Sequence, residues 1–134
     1  DEITYISKKN NIKAIKLKVS APFHCQYMKK TADKLEETFR ELKFSNPTIP
    51  IVCNYTANVP DDLEDMKNSL LKQTFSTVLW YDTICYMIDN KVDSFIEIGN
   101  GSTLSGIIKR MKIEKNINTT SISSKEDITN YMKL

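Results

Sequence analysis

The sequence predicts an α/β fold, and two patterns indicate it. Residues 13 to 19 alternate apolar and polar side chains, which is the period of a strand with one buried face. Residues 28 to 42 instead place apolar side chains at steps of four and three residues, which is typical of a helix with one buried stripe. Because strand-like and helix-like segments alternate along the chain, we expect helices layered on a sheet with some parallel pairing.

The first half of the chain is predicted to contain a helix, a strand, a second helix, a short buried strand and a third helix. Lys8 and Lys9 lie where cations favour a helix end, and Asn10 and Asn11 stop that helix. The second strand is an apolar run bounded by proline. These elements are predicted at residues 1–9, 13–19, 26–43, 49–53 and from Pro60 onward.

The second half of the chain repeats the alternation. Trp80, Ile84 and Ile88 mark one face of a helix, and a strand then leads into a glycine-containing turn at residues 99–103. A helix, a strand and a final helix follow. They are predicted at residues 104–111, 119–123 and 125–133, after the strand at 93–98.

Composition excludes several classes of protein. A chain of 134 residues is one domain at most, or a piece of something larger. The net charge of +2 is too small for a dedicated nucleic-acid binder, and no apolar run approaches a membrane span. Three cysteines without CxxC spacing indicate neither a disulfide framework nor a zinc site, so we expect reduced, intracellular thiols. The amino terminus is neither a signal nor a transit peptide, and a removed targeting segment upstream stays open.

His24 is the only histidine, and it lies in a short loop between a predicted strand and a predicted helix. Such loops often display functional groups, but a single histidine is commonly a surface or core residue. The sequence offers no obvious nucleophile beside it. Cys25 is adjacent, and because neighbouring side chains in an extended loop diverge, a Cys25–His24 dyad is disfavoured.

Two further segments have functional alternatives. The run GNGSTLSG, residues 99–106, resembles a phosphate-binding loop but lacks the third glycine of GxGxxG and a GK[ST] ending. A tight turn with Ser102 or Thr103 as helix cap is the simpler interpretation, and a nucleotide-binding domain is the weaker rival. The acidic residues at 61–65 suit a helix start better than a metal site.

Four blocks of the sequence carry a resemblance to a known family: VSAPFHCQYMKKTADKL, IPIVCNYTA, LLKQTFSTVLWYDTICYMI and FIEIGNGSTLSGIIKRM. Together they resemble the malonyl-CoA:acyl carrier protein transacylase family. They span about residues 12 to 113, in the family's order and with compatible spacing. The resemblance implies an α/β fold: part of an α/β-hydrolase-like acyltransferase core preceded by the tail of a ferredoxin-like subdomain.

The resemblance also implies roles for individual residues. The family transfers malonyl from coenzyme A to acyl carrier protein through an ester on a serine that a histidine activates. The family's histidine falls in the SAPFH block, which makes His24 the general base. The main-chain carbonyl of Gln73, seven residues before Trp80, would orient it. Phe23 takes the position that senses the acyl branch, where a ring leaves room for malonyl and crowds a methyl-bearing unit.

Several family motifs do not occur in this sequence. The sequence lacks the GHSxG nucleophile elbow, the oxyanion-hole glutamine and the arginine that holds the malonyl carboxylate. Where the family has GPGKVL, this sequence has GNGSTL. The resemblance therefore implies a carboxy-terminal half that is inactive alone and needs the missing half or a second chain. Residues 1–19 would be the last helix and strand of the small subdomain, and residues 20–134 the end of the core.

The resemblance implies partners and a compartment as well. The substrate would be a coenzyme A thioester, and the protein partner would be acyl carrier protein. The enzyme would hold no tightly bound cofactor. Because that partner is acidic across its family, Lys29, Lys30, Lys109 and Arg110 are candidates for a docking surface; otherwise they are solvated charges. The location would be cytoplasmic, or a plastid-type organelle if a transit peptide lies upstream. A non-catalytic module that binds acyl carrier protein or a partner chain is the alternative from another class.

Overall fold

A computed structural model describes residues 2–15, 19–113 and 115–133. Within these ranges the helices are α1 Glu2–Lys9, α2 Lys29–Glu41, α3 Leu63–Gln73, α4 Trp80–Asp89, α5 Thr103–Ile108 and α6 Lys125–Tyr131. The strands are β1 Ser94–Ile98 and β2 Asn118–Ile122, and a 3₁₀ turn at Gln26–Met28 leads into α2. The predicted α/β class with parallel pairing is confirmed.

The centre of the fold is a β1–α5–β2 unit. β1 and β2 pair in parallel, with Ser94 opposite Asn118 and Ile98 opposite Ile122. Helix α5 packs on both strands, as expected for a parallel crossover, and α6 packs on β2. Helix α4 completes this layer by packing its apolar face against the unit.

The main core lies between α4, α5 and the sheet. Its buried members are Ile84, Ile88 and Ile108, and Ile84 retains only 1% of its surface exposed. Burying a side chain of this size contributes about 1.5–3 kcal/mol. The half-buried side chains that pack around these three are Trp80, Phe95, Met111, Ile113 and Ile117.

A second layer is formed by α2 and α3, which pack against each other. The predicted stripe on α2 begins with buried Met28 and Ala32, while Leu42, past the helix end, is 55% exposed. The ring of Phe39 meets that of Phe44 edge to face with centroids 4.9 Å apart, which anchors the chain after α2. This pair of helices places α3 against the histidine loop.

Two predicted strands have different outcomes. The predicted strand at 49–53 is wrong: the segment makes only a single antiparallel bridge, between Cys53 and Asn58. A strand needs a neighbouring ladder, and Pro50 has no N–H to contribute to one. The predicted strand at 13–19 includes residues 16–18, which lie outside the described residues; 13–15 and Val19 are irregular.

The helix at residues 1–9 is confirmed as α1, and its ending has a clear cause. Asn11 adopts a left-handed φ of 54°, with its N–H donating to the Lys8 carbonyl and the Ile12 N–H donating to that of Ser7. This is the Schellman pattern of helix termination, for which asparagine is well suited. The side chain of Asn10 adds a bond to the Ile6 carbonyl.

Candidate active site

His24 lies in the loop before α2 and contacts the carboxyl-terminal end of α3 twice. Its backbone N–H donates to the Thr74 carbonyl at 3.0 Å. Its ring Nδ1 lies 2.7 Å from the Gln73 carbonyl oxygen. His24 and Gln73 are 49 residues apart in the sequence, and the tertiary structure brings them into contact.

The Gln73 carbonyl is available because α3 ends there. The last carbonyls of a helix have no N–H donor one turn ahead, so other groups must satisfy them. A carbonyl oxygen only accepts hydrogen bonds, so Nδ1 must be the protonated nitrogen of the neutral ring. Nε2 then keeps its lone pair, and it makes no hydrogen bond to any described residue. The arrangement presents Nε2 as a proton acceptor.

The acidic residues at 61–65 position α3 at its other end. Asp62 is the N-cap and accepts from the Asp65 N–H at 2.8 Å, while Asp65 accepts from the Asp61 N–H at 3.2 Å. The first bond satisfies an orphan amide of the first helical turn, and the second ties the residue before the N-cap to the helix. No group of acidic, cysteine or histidine side chains suited to a metal ion is found among the described residues.

The segment after α3 is held by the loop at residues 53–58. The Leu79 N–H donates to the Asn54 carbonyl at 2.9 Å, and the Lys72 ammonium lies 5.5 Å from the centre of the Tyr55 ring. The second contact is a cation–π interaction of the kind that contributes about 0.5–1 kcal/mol at exposed sites. The loop therefore braces the turn that meets His24.

The residues flanking His24 differ in exposure and direction. The ring of Phe23 is 59% exposed beside the histidine. The Cys25 thiol is half-buried and donates to the Pro22 carbonyl at 3.0 Å. No hydrogen bond joins Cys25 to His24 in the described part of the chain, in keeping with the expectation that these side chains diverge.

The turn at residues 99–103 is capped by a residue that sequence reasoning missed. Ser102 is the N-cap of α5 but makes no side-chain cap bond. Instead the Glu97 carboxylate accepts from the Leu104 N–H at 3.0 Å and the Ser105 N–H at 2.8 Å. The bond from the Ser105 amide is the main reason that the pKa of Glu97 is lowered. An anionic ligand would find these amides already occupied by a carboxylate.

One sequence feature could have indicated the capping role of Glu97: it is an acidic residue at an inward-facing position of a predicted strand. Phe95 and Glu97 share one face of β1, towards α5, and the turn that follows needs glycine because Gly101 has φ of 92°. A carboxylate so placed at a strand end meets the start of the next helix.

The four candidate docking cations fall into two pairs. Lys29 and Lys30 are exposed on the first turn of α2, and Lys109 and Arg110 are exposed just after α5. Because α2 packs on α3 while α5 packs on the sheet, the two pairs belong to different layers of the molecule.

Comparisons with known proteins agree with the four sequence blocks. No protein-family model matches the chain. A malonyl CoA-acyl carrier protein transacylase from Bacillus subtilis is 36% identical over 124 residues, which are 92% of this chain and 38% of that protein. The crystal structure of such a transacylase from Xanthomonas oryzae matches with a TM-score of 0.85 and 28% identity, over 97% of this chain and 41% of that one.

A third match is a complex of a type II polyketide acyl-carrier protein with its malonyl-transacylase. It has a TM-score of 0.78 and 28% identity, over 87% of this chain and 37% of that chain. The fold and the matches are those of part of an acyltransferase. More particularly, the chain is similar over most of its length to malonyl CoA-acyl carrier protein transacylases, and it spans about two fifths of the length of the relatives it matches.

Proposed function

We propose that the protein containing this chain transfers malonyl from coenzyme A to acyl carrier protein in type II fatty acid synthesis, with His24 as general base. The observation that supports this best is the 2.7 Å contact between His24 Nδ1 and the Gln73 carbonyl. It supplies the orientation that a histidine base needs, without a third carboxylate. The similarity to malonyl CoA-acyl carrier protein transacylases supports the choice of reaction.

The proposed chemistry needs a serine nucleophile in a GHSxG motif, which the 134 residues do not contain. In the first half-reaction Nε2 takes the proton of the serine hydroxyl as its oxygen attacks the thioester carbonyl. The C–S bond breaks, and the coenzyme A sulfur leaves with the proton that His24 returns. In the second half-reaction the phosphopantetheine thiol gives its proton to Nε2 and its sulfur attacks the ester carbonyl. The ester C–O bond then breaks, and His24 returns the proton to the serine oxygen. No tightly bound cofactor takes part.

Under this proposal Phe23 selects the acyl group. Its exposed ring lies next to the base, where it would contact the carbon between the two malonyl carboxyl groups. A methyl branch at that carbon would meet the ring, a discrimination worth about 1–3 kcal/mol.

We further propose the architecture that the family resemblance implies. Residues 1–19 would close a ferredoxin-like subdomain, and residues 20–134 would form the end of an α/β-hydrolase-like core. The serine and the malonyl-binding arginine would come from a further segment of the protein or from a second chain. The 134 residues alone should not transfer malonyl.

Replacing His24 tests the base in a protein that joins this chain to a GHSxG segment. His24→Ala should lower the rate of malonyl transfer about 10²- to 10⁴-fold, the usual contribution of a general base. His24→Asn is the matched variant, because asparagine tolerates a left-handed backbone and its amide can donate to Gln73. It should be equally inactive with an unchanged urea midpoint. Near-normal transfer by either variant would reject the assignment.

Charge reversal tests the docking proposal. Lys109→Glu combined with Arg110→Glu should weaken binding of acyl carrier protein in low salt, and the difference should shrink as salt is added. Lys29→Glu with Lys30→Glu tests the second pair in the same way. Lys133→Glu, on the exposed stretch after α6, is the control. Unchanged binding at low salt would show that these are ordinary surface charges.

A further inference from the structure

We propose that Thr74 is a positioning residue for His24, because its hydroxyl ends α3 in a way that opens two successive carbonyl oxygens towards the histidine loop. This inference rests on the proposed function, in which His24 must hold a defined tautomer. Thr74 does not touch the reacting atoms; it acts through the end of α3.

The hydrogen bonds at the end of α3 account for each carbonyl in turn. The Leu71 carbonyl accepts both the Thr74 hydroxyl, at 2.7 Å, and the Thr74 N–H, at 3.2 Å. The Lys72 carbonyl accepts the Phe75 N–H at 3.2 Å. The next two carbonyls, of Gln73 and Thr74, both go to His24.

These hydrogen bonds are incompatible with a longer α3. If α3 continued by one more turn, the N–H groups of residues 77 and 78 would take the Gln73 and Thr74 carbonyls, and His24 would lose both partners. The Thr74 hydroxyl favours the observed ending, because it bonds the same Leu71 carbonyl that the Thr74 N–H takes in a three-residue step, and the Phe75 N–H makes the next such step to Lys72. Thr74 is half-buried, so water cannot fully replace the hydroxyl.

The two bonds to His24 have separate effects. The bond from the His24 N–H to the Thr74 carbonyl holds a backbone with φ of 61°, which a residue other than glycine seldom adopts. The bond from Nδ1 to the Gln73 carbonyl sets the tautomer. Because both acceptors belong to the same turn, a shift of that turn would disturb the backbone and the ring of His24 together.

The test reads the tautomer directly, since His24 is the only histidine in the chain. Nitrogen-15 NMR of the 134-residue chain, at a pH where the ring is neutral, distinguishes a protonated Nδ1 from a protonated Nε2. The wild type should show the Nδ1–H form. Thr74→Val keeps the branched shape but lacks the hydroxyl, and it should lose that form in favour of Nε2–H. Thr74→Ser keeps the hydroxyl and should restore it.

Thr129→Val is the matched control, because the Thr129 hydroxyl also bonds a helix carbonyl, that of Lys125 at 3.0 Å, in α6. It should leave the His24 spectrum unchanged. If Thr74→Val does not fold, Thr74→Ala gives the same comparison. The proposal is overturned if a folded variant without the hydroxyl keeps the wild-type tautomer, or if Thr74→Ser loses it. A wild type without the Nδ1–H form would instead contradict the orientation assumed in the proposed function.

Discussion

At position 24 the backbone is left-handed, and the cause differs from that at Asn11 and Lys91. Asn11 and Lys91 have φ of 54° and 73° because each directly follows a helix and ends it. His24 follows no helix; its conformation is held by the distant Thr74 carbonyl. A non-glycine residue in this region costs about 1–3 kcal/mol. Such a cost at the only histidine supports a functional constraint on the loop.

The Cys53 thiol, in contrast to His24, is in an environment that suppresses its reactivity. Burial raises the pKa of the Cys53 thiol, which the Ser69 hydrogen bond partly offsets and the Asp65 charge reinforces. A thiol with a raised pKa is mostly protonated at neutral pH and is a poor nucleophile. The described cysteines are all free thiols. Cys53 is therefore not a candidate nucleophile.

Among the elements, helix ends organise both loops of interest. The carboxyl end of α3 supplies oxygen acceptors to His24, and the amino end of α5 supplies amide donors to Glu97. Both rely on the groups that a helix leaves unpaired at its termini. The same principle explains the capping box at α6, where Ser124 and Asp127 bond each other's backbone.

Glu97→Gln should destabilise the fold in a pH-dependent way. The folded-state pKa of Glu97 is lowered, so its contribution to stability is present above the ordinary glutamate pKa and is lost as pH falls through the folded-state value. The variant should therefore unfold at lower urea than the wild type at pH 7, and the gap should close in acid. Equal midpoints at pH 7, or a gap independent of pH, would contradict this. Glu126→Gln, on exposed α6 surface, is the control.

At the scale of the whole molecule, apolar surface is left open on one side of the sheet. Ile98 is 81% exposed and Ile96 is 44% exposed, on the face of β1 opposite Phe95. A groove of about 550 Å³ adds to this surface; its apolar lining residues are Ile49, Pro50, Val52, Val59, Met87 and Val92. No helix in the described ranges is long and apolar enough to span a membrane. Exposed apolar surface of this kind favours association with another polypeptide surface.

The 134-residue chain should therefore self-associate, and Ile98→Lys should shift it towards monomer. A lysine on an exposed strand face opposes apolar pairing and sheet-to-sheet contact. Sedimentation velocity over a range of concentrations measures the effect. Ile12→Lys is the matched control, because Ile12 is 63% exposed outside the sheet. A wild type that stays monomeric throughout, or an equal effect of both variants, would contradict the prediction.

Local patterns predicted most helices and both paired strands, because an amphipathic period and a capping residue act over a few neighbours. The run at 49–53 shows the limit: its apolar character is that of a strand, but no described strand lies beside it. Glu97 shows a second limit, because a cap supplied from seven residues away depends on how the turn folds back. Ser102 takes the predicted N-cap position, but the side-chain bonds to the first amides of α5 come from Glu97.

The sequence by itself determined the α/β class, the resemblance to malonyl CoA-acyl carrier protein transacylases, and His24 as the candidate base, because these follow from periodicity and from blocks of residues in a fixed order. Only the tertiary structure decided what His24 bonds. The carbonyls of Gln73 and Thr74 are ordinary backbone groups that carry no side-chain signature, and they become acceptors for His24 only because α3 ends where the loop before α2 packs against it.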